Sequence, residues 1–203
     1  MMNRFILPAL LCLLFFSYQD TGWSIYDDVT LFVTHVLDGD TIDISDGRRI
    51  RLLGIDCPEI SENDKLAYDV LKTGISKEIF LTVGREAREF VRDVTMDCEL
   101  KIKTDLVNST SDHFDKYGRT LAYVKVYWKE PPEFLLKDMG KKEIKRWKSK
   151  WVSLNILLLS NGYAKVYNRF PFTNRQRFTA EERKAKMDKK GIWGMLTKEI
   201  KSN

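Results

Sequence analysis

The chain reads as an α+β fold, a small antiparallel β-barrel with helices packed against it. Three observations lead there. Short segments at 29–36, 41–44, 49–53, 100–103 and 120–128 carry the β-branched, aromatic or alternating pattern of strands. The pattern changes period at 84–96, where Ala87, Phe90, Val91 and Val94 fall at i, i+3, i+4 and i+7 of an amphipathic helix. The strands cluster before and between helices instead of alternating with them one for one, which excludes a doubly wound parallel sheet.

The elements follow in order. Residues 29–36 run directly into Asp38, and Ser45-Asp46-Gly47 turns the second strand back into the third as a β-hairpin. Leu100 and Ile102 alternate with Glu99, Lys101 and Lys103 as a fourth strand, and 120–128 is the fifth. Residues 153–160 form a short apolar helix, N-capped by Ser153 and closed by Asn161-Gly162. Thr179-Ala180-Glu181-Glu182 matches a capping box and opens a charged helix to Lys190, stopped by Gly191. Residues 60–83 and 129–150 read as insertions. The second holds eight Lys/Arg against four acids, together with Trp147. It is either a solvated loop face or a nucleic-acid contact.

A length of 203 residues allows one well-packed domain with sizeable loops and is marginal for two. Hydrophobic content of 43% with 31% charged residues is ordinary for a globular domain, and a net charge of +5 tilts the partners toward anions. Residues 1–23 differ from the rest. One arginine precedes the apolar run 5–16, which is broken only by Pro8 and is shorter than the roughly 20 residues that span a bilayer. The layout is that of a secretory signal peptide, leaving 24–203 as the domain, secreted or periplasmic. Beyond that leader two cysteines remain, Cys57 and Cys98. They can pair in an oxidising compartment but make no disulfide framework. His35 and His113 are isolated and no zinc spacing exists.

The chemistry sits at the ends of the hairpin. Asp38-Gly39-Asp40-Thr41 enters it, and Arg51-Leu52-Leu53-Gly54-Ile55-Asp56-Cys57-Pro58-Glu59 leaves it, so Asp40 and Asp56 are brought together. Hard carboxylate oxygens gathered this way suit a Ca²⁺-type cation, and an arginine beside them suits a phosphate. Asp115-Lys116-Tyr117-Gly118-Arg119 precedes the fifth strand, and its glycine permits a tight turn that aims Arg119 sideways. Arg51 and Arg119 together can grip a phosphate bidentately, which lysines cannot. A carboxylate not consumed as a ligand is needed to position or deprotonate water, and Glu59 is the candidate. The set points to phosphodiester chemistry.

At these residues the chain resembles the staphylococcal nuclease (thermonuclease) family. The three motifs occur in the family's order, followed by Asn155, Gly162-Tyr163-Ala164-Lys165-Val166 and Ile192-Trp193, with Gly84-Arg85-Glu86-Ala87 between them. The resemblance implies a five-stranded antiparallel OB-type barrel with three packed helices, and a Ca²⁺-dependent endonuclease that cleaves DNA and RNA to leave 3′-phosphates. By position it makes Asp40 and Asp56 Ca²⁺ ligands, with the main-chain carbonyl of Cys57 as a third. It makes Glu59 the general base or water-orienting group, and Arg51 and Arg119 the phosphate clamp. Lys116 and Tyr117 would contact a terminal phosphate, and Tyr167 or Phe170 would supply a stacking ring. The expected partner is DNA or RNA, preferably single-stranded or denatured, met by a monomer with no stable membrane association once the leader is gone.

Three departures from the family pattern stand out: Cys57 where Thr or Ala is usual, Asn168 and Phe170 near where the family's base-stacking tyrosines fall, with Tyr167 one place earlier, and a loop 60–83 about twice the usual length. Two other classes compete. Val36-Leu37-Asp38-Gly39-Asp40-Thr41 is similar to the strand-end motif of haloacid-dehalogenase-type phosphatases, but that family wants a threonine or valine one residue later and a doubly wound sheet. A non-catalytic OB module that binds nucleic acid would have lost the acidic site or Arg119, and this chain retains both.

Overall fold

The computed structural model describes residues 30–111, 113–137 and 139–195, so the expected leader lies outside the described residues. The main sheet runs β1 (Val33–Asp38), β2 (Thr41–Ile44), β3 (Arg49–Leu52), with β4 (Ile55–Asp56) leaving it. Two helices follow, α1 (Asp64–Thr73) and α2 (Lys77–Thr95), then β5 (Leu100–Lys103) and the long β6 (Thr120–Trp128). Short helices α3 (Glu133–Leu136) and α4 (Lys141–Lys145) lead into β7 (Lys150–Ser153), α5 (Leu154–Ser160), β8 (Lys165–Val166) and α6 (Arg175–Met187).

The sheet order is β1-β2-β3-β6-β5, with β7 also on β6 and β4-β8 as a separate pair. Here the expectation of five antiparallel strands and three helices is corrected. Eight strands and six α-helices are described, and β3 pairs with β6 in parallel. The parallel pairing arises because 53–119 cross over by way of α1, α2 and β5 before the chain re-enters beside β3. The sheet is not a closed barrel. Its two edges approach each other where Leu100 N–H donates to Leu31 O at 2.8 Å. The two-residue strands β4 and β8 are too short to show a period in sequence.

The hairpin forms as expected, with Thr41 opposite Arg51 and Gly47 at φ +88° in the turn. Residues 60–83, expected as a loop, are instead α1 and the first turns of α2. Asn63 caps α1 by accepting from Leu66 N–H, and Gly74 closes it in the left-handed region. Leu66, Ile75, Phe80 and Val83 bury together with Ile192 in a small second core. The charged helix near the C-terminus begins at Arg175, so Thr179 is not its cap. Its hydroxyl donates back to Arg175 O inside the helix.

The main core lies between the sheet and α2, α5 and α6, and includes Ile42, Ile50, Leu121, Val124, Val91, Leu158 and Phe178. Segment 129–150 is anchored to it. Phe134 packs edge-on against Phe90 and Trp128, with ring centroids 5.1 and 5.9 Å apart. Asn155, fully buried at the start of α5, donates to Leu53 O at 3.0 Å and accepts from Val124 N–H at 3.1 Å. This one side chain ties the exit of β3 to the middle of β6, holding the Arg51 and Arg119 strands in register. Cys57 and Cys98 are free thiols.

Candidate active site

The entry to the hairpin is shaped by Asp38, whose carboxylate accepts from Asp40 N–H at 2.9 Å. This Asx turn makes Asp38 a turn former and aims Asp40 inward. Gly39 allows the turn to press onto the helix, because a Cβ there would meet Ala87 Cβ at 2.7 Å and Cys57 Sγ at 2.8 Å. Gly84 does the same one turn earlier on α2, where a Cβ would collide with the main chain of Pro58 and Glu59. Small residues on α2 therefore set the position of both acidic segments.

Arg51 is the centre of the site. It is 7% exposed, beside Asp40 at 6% and Asp56 at 3%. Its Nη2 lies 3.0 Å from Asp40 Oδ2 and 3.1 Å from Asp56 Oδ1, and its Nη1 donates to Leu52 O at 3.0 Å and Ile55 O at 2.9 Å. The guanidinium thus joins the two carboxylates that the hairpin was expected to gather, and most of its donors serve the scaffold. Asp40 also accepts from Cys57 N–H at 2.8 Å and from the Thr41 hydroxyl at 3.1 Å. Burial nevertheless pushes its carboxyl up to about 7, with Arg51 pulling the other way. Burial, with the charge of Asp40 second, also raises the Cys57 thiol well above its ordinary value. The thiol is a packing group, and the residue's carbonyl is its chemically available atom.

Glu59 stands next to this pair and is held by the N-terminal end of α1. One carboxylate oxygen accepts from Lys65 Nζ at 2.6 Å and the other from Asn63 Nδ2 at 2.7 Å. Lys65 Nζ also donates to Cys57 O at 3.2 Å and lies 3.3 Å from Asp56 Oδ1. Lys165 of β8 approaches the second Asp56 oxygen at 3.4 Å and Asp69 of α1 at 3.1 Å. Burial would lower the pKa of Lys65, but Asp56 and Glu59 more than offset it, so the group stays charged.

Arg119 enters from the neighbouring strand. Gly118 at φ +76° closes the turn, and Asp115 accepts from Tyr117 N–H at 2.9 Å, Arg119 N–H at 3.0 Å and Arg119 Nε at 2.7 Å. Arg119 Nη1 then donates to Thr41 Oγ1 at 3.3 Å. A hydrogen-bonded path therefore runs from Arg119 through Thr41 to Asp40 and Arg51. Tyr117 is 70% exposed, with Lys116 Nζ 4.7 Å and the Arg119 guanidinium 5.3 Å from its ring centroid. Tyr117 and Arg119 border an open cleft of about 640 Å³ that also touches Arg49 and Asp43. Asp40, Asp56 and Glu59 lie outside its lining. Tyr167 comes to the site from β8's end, its ring 5.9 Å from the Arg51 guanidinium carbon and 6.4 Å from the Phe170 ring.

Sequence reasoning missed four residues here: Lys65, Asn63, Asp115 and Thr41. Asp115 and Thr41 stood inside quoted motifs without a role. Lys65 and Asn63 lay in the segment read as a loop. Asn63 placed three residues before Leu66 was the available signal, an N-cap ahead of an apolar helix face.

The sequence model of the staphylococcal nuclease homologue family matches residues 49–195, so the Asp38 to Thr41 motif lies just ahead of the matched span. The chain is 32% identical over 195 residues to the uncharacterized protein MJ1439 of Methanocaldococcus jannaschii, covering 87% of this chain and 82% of that one. It is 26% identical to the thermonuclease of Staphylococcus hyicus, with the same coverage of each. It is 29% identical to the endonuclease YhcR of Bacillus subtilis over 79% of this chain, which spans only 11% of that longer protein. The chain belongs to the staphylococcal nuclease homologue family.

Proposed function

We propose that the protein is a Ca²⁺-dependent endonuclease that hydrolyses phosphodiester bonds of DNA and RNA and leaves 3′-phosphate ends. The observation that carries this reading is the convergence of Asp40 and Asp56 on Arg51 and of Asp56, the Cys57 carbonyl and Glu59 on Lys65, with Arg119 joined to Asp40 through Thr41. Two nuclease-named relatives support the class of reaction.

The donor set suits a hard cation. Asp40, Asp56 and the Cys57 carbonyl offer oxygen only, and the Lys65 ammonium already rests on the Cys57 carbonyl with Asp56 close by. Among the described residues no three acidic, His or Cys side chains group closely enough to hold a metal by themselves. The main-chain oxygen, water and a substrate phosphate would complete the shell. Bound there, Ca²⁺ supplies charge that polarises a phosphoryl oxygen and acidifies water.

The remaining work falls to the chain's own groups. Glu59, three residues after Asp56 and not among those ligands, accepts a proton from the attacking water or orients it. Arg119, held by Asp115 at the edge of the open cleft, donates to the phosphate and stabilises charge that grows on its oxygens and on the leaving oxygen. Arg51 supplies fixed positive charge beneath the phosphate. Tyr117 borders the cleft where a neighbouring phosphate would lie, with the Lys116 ammonium against its ring, and the Tyr167 ring offers a base a face. Export by residues 1–23 and action as a monomer belong to the same proposal.

Incubating the protein with heat-denatured DNA in Ca²⁺ and in excess chelator tests the reading. Cleavage only in Ca²⁺ is expected. Binding without cleavage in Ca²⁺ would favour a non-catalytic module, and cleavage unaffected by chelator would refute the metal mechanism. Glu59→Ala and Arg119→Ala should each lower kcat by about 10²- to 10⁴-fold while the fold persists.

A further inference from the structure

The Lys65 ammonium occupies a position that an enzyme of this kind would need for its metal. Within 3.3 Å it meets the carbonyl of Cys57, Oδ1 of Asp56 and Oε1 of Glu59. These are two of the three proposed ligands and the proposed base. The lysine is delivered by α1, a helix built from the segment 60–83. Its placement is fixed on both sides: the Asn63 cap bonds Glu59, and Asp69 bonds Lys165. An ammonium and a divalent cation cannot share those oxygens, because like charges a few ångströms apart in a half-buried site repel strongly. Lysine suits the role, since its point charge sits on a flexible four-carbon stem that can swing away.

We propose that Lys65 is a built-in cation that holds the acidic cluster together in the metal-free protein and is displaced when Ca²⁺ enters, so that α1 sets the metal affinity. The inference rests on the metal-site reading above and adds a positioning residue to it. Lys65 has two effects of opposite sign. It stabilises the metal-free fold by screening Asp56 and Glu59 from each other, and it weakens Ca²⁺ binding because its contacts must break first. A lysine that merely pairs with surface acids would have the first effect without the second.

The test is calorimetric titration of Ca²⁺ into the wild-type protein, Lys65→Met, Lys65→Gln and Asp56→Asn, with thermal unfolding of each in chelator. Lys65→Met and Lys65→Gln should bind Ca²⁺ at least about tenfold more tightly than wild type and melt lower in chelator. Asp56→Asn should lose Ca²⁺ binding. If wild type binds Ca²⁺, Asp56→Asn does not, and both Lys65 variants match wild type, the displacement is refuted while the metal site stands. If no Ca²⁺ binding is measurable in wild type or in either Lys65 variant, the metal site and the displacement fall together. The two Lys65 variants differ in polarity, so a folding defect in one leaves the other to decide.

Discussion

Replacing Arg51 tests whether the centre of the site is scaffold as well as catalyst. Arg51→Met keeps most of the stem and removes the guanidinium. Asp40 then loses the cation 3.0 Å away, Asp56 loses the one 3.1 Å away, and the carbonyls of Leu52 and Ile55 lose their donors. All of this occurs at residues under 10% exposed. Removing one partner of a buried ion pair costs about 3–5 kcal/mol. Lys65 and Lys165 still neutralise Asp56, so the lower half of that range, about 3–4 kcal/mol, is expected. For a domain of this size that lowers Tm by about 10 °C. Arg51→Lys retains a charge for the carboxylates but cannot also reach both carbonyls, and should cost about 1–2 kcal/mol. The assay is thermal and urea unfolding in chelator, which separates the scaffold role from any effect on turnover. A Met variant within about 1 kcal/mol of wild type would refute the scaffold role, and a Lys variant as unstable as the Met variant would show that charge is not what matters.

Other outcomes follow from the same contacts. Asp115→Ala should free Arg119 and lower kcat by about 10- to 100-fold with little change in KM, since a misplaced clamp loses transition-state contacts first. Steady-state kinetics would show this, and an unchanged kcat would mean that Asp115 does not position Arg119. Asp105 predicts a pH effect. Burial alone would raise its carboxyl, but hydrogen bonds from Thr173, Tyr123 and Val107 outweigh that and hold it below the ordinary value. The unfolded chain, with a carboxyl pKa of about 3.9, takes up the proton first as pH falls. The stabilisation is therefore full above about pH 4 and drains away as pH drops through the folded value below it. Asp105→Asn should cost about 2–3 kcal/mol at neutral pH and flatten the fall in urea midpoint toward pH 3. An unaltered acid limb would refute the assignment.

The local elements with a clear chemical signal were legible in the chain. The hairpin 41–44 and 49–52, its Gly47 turn, the long strand 120–128 and the Ser153 cap of α5 appear where their residues demand them. Asp38 as a turn former was legible too, because an Asp two residues before an amide closes its own turn. The helix α1 was hidden by reading 60–83 as an inserted loop, although Asn63, Leu66, Val70 and Gly74 carry its cap, face and stop.

By itself, then, the sequence determined which reactive groups exist and which lie at the ends of one hairpin, since turn chemistry and strand period act over a few residues. Only the tertiary structure decided how those groups are occupied. The parallel contact of β3 with β6 sets Arg119 against Thr41, and the packing of α1 over Asp56 sets Lys65 against the Cys57 carbonyl and Glu59. Those partners are separated by up to 78 residues. Their meeting depends on where Gly39 and Gly84 let α2 approach the acidic segments and where Asn155 clamps two strands together, long-range packing that no local pattern encodes.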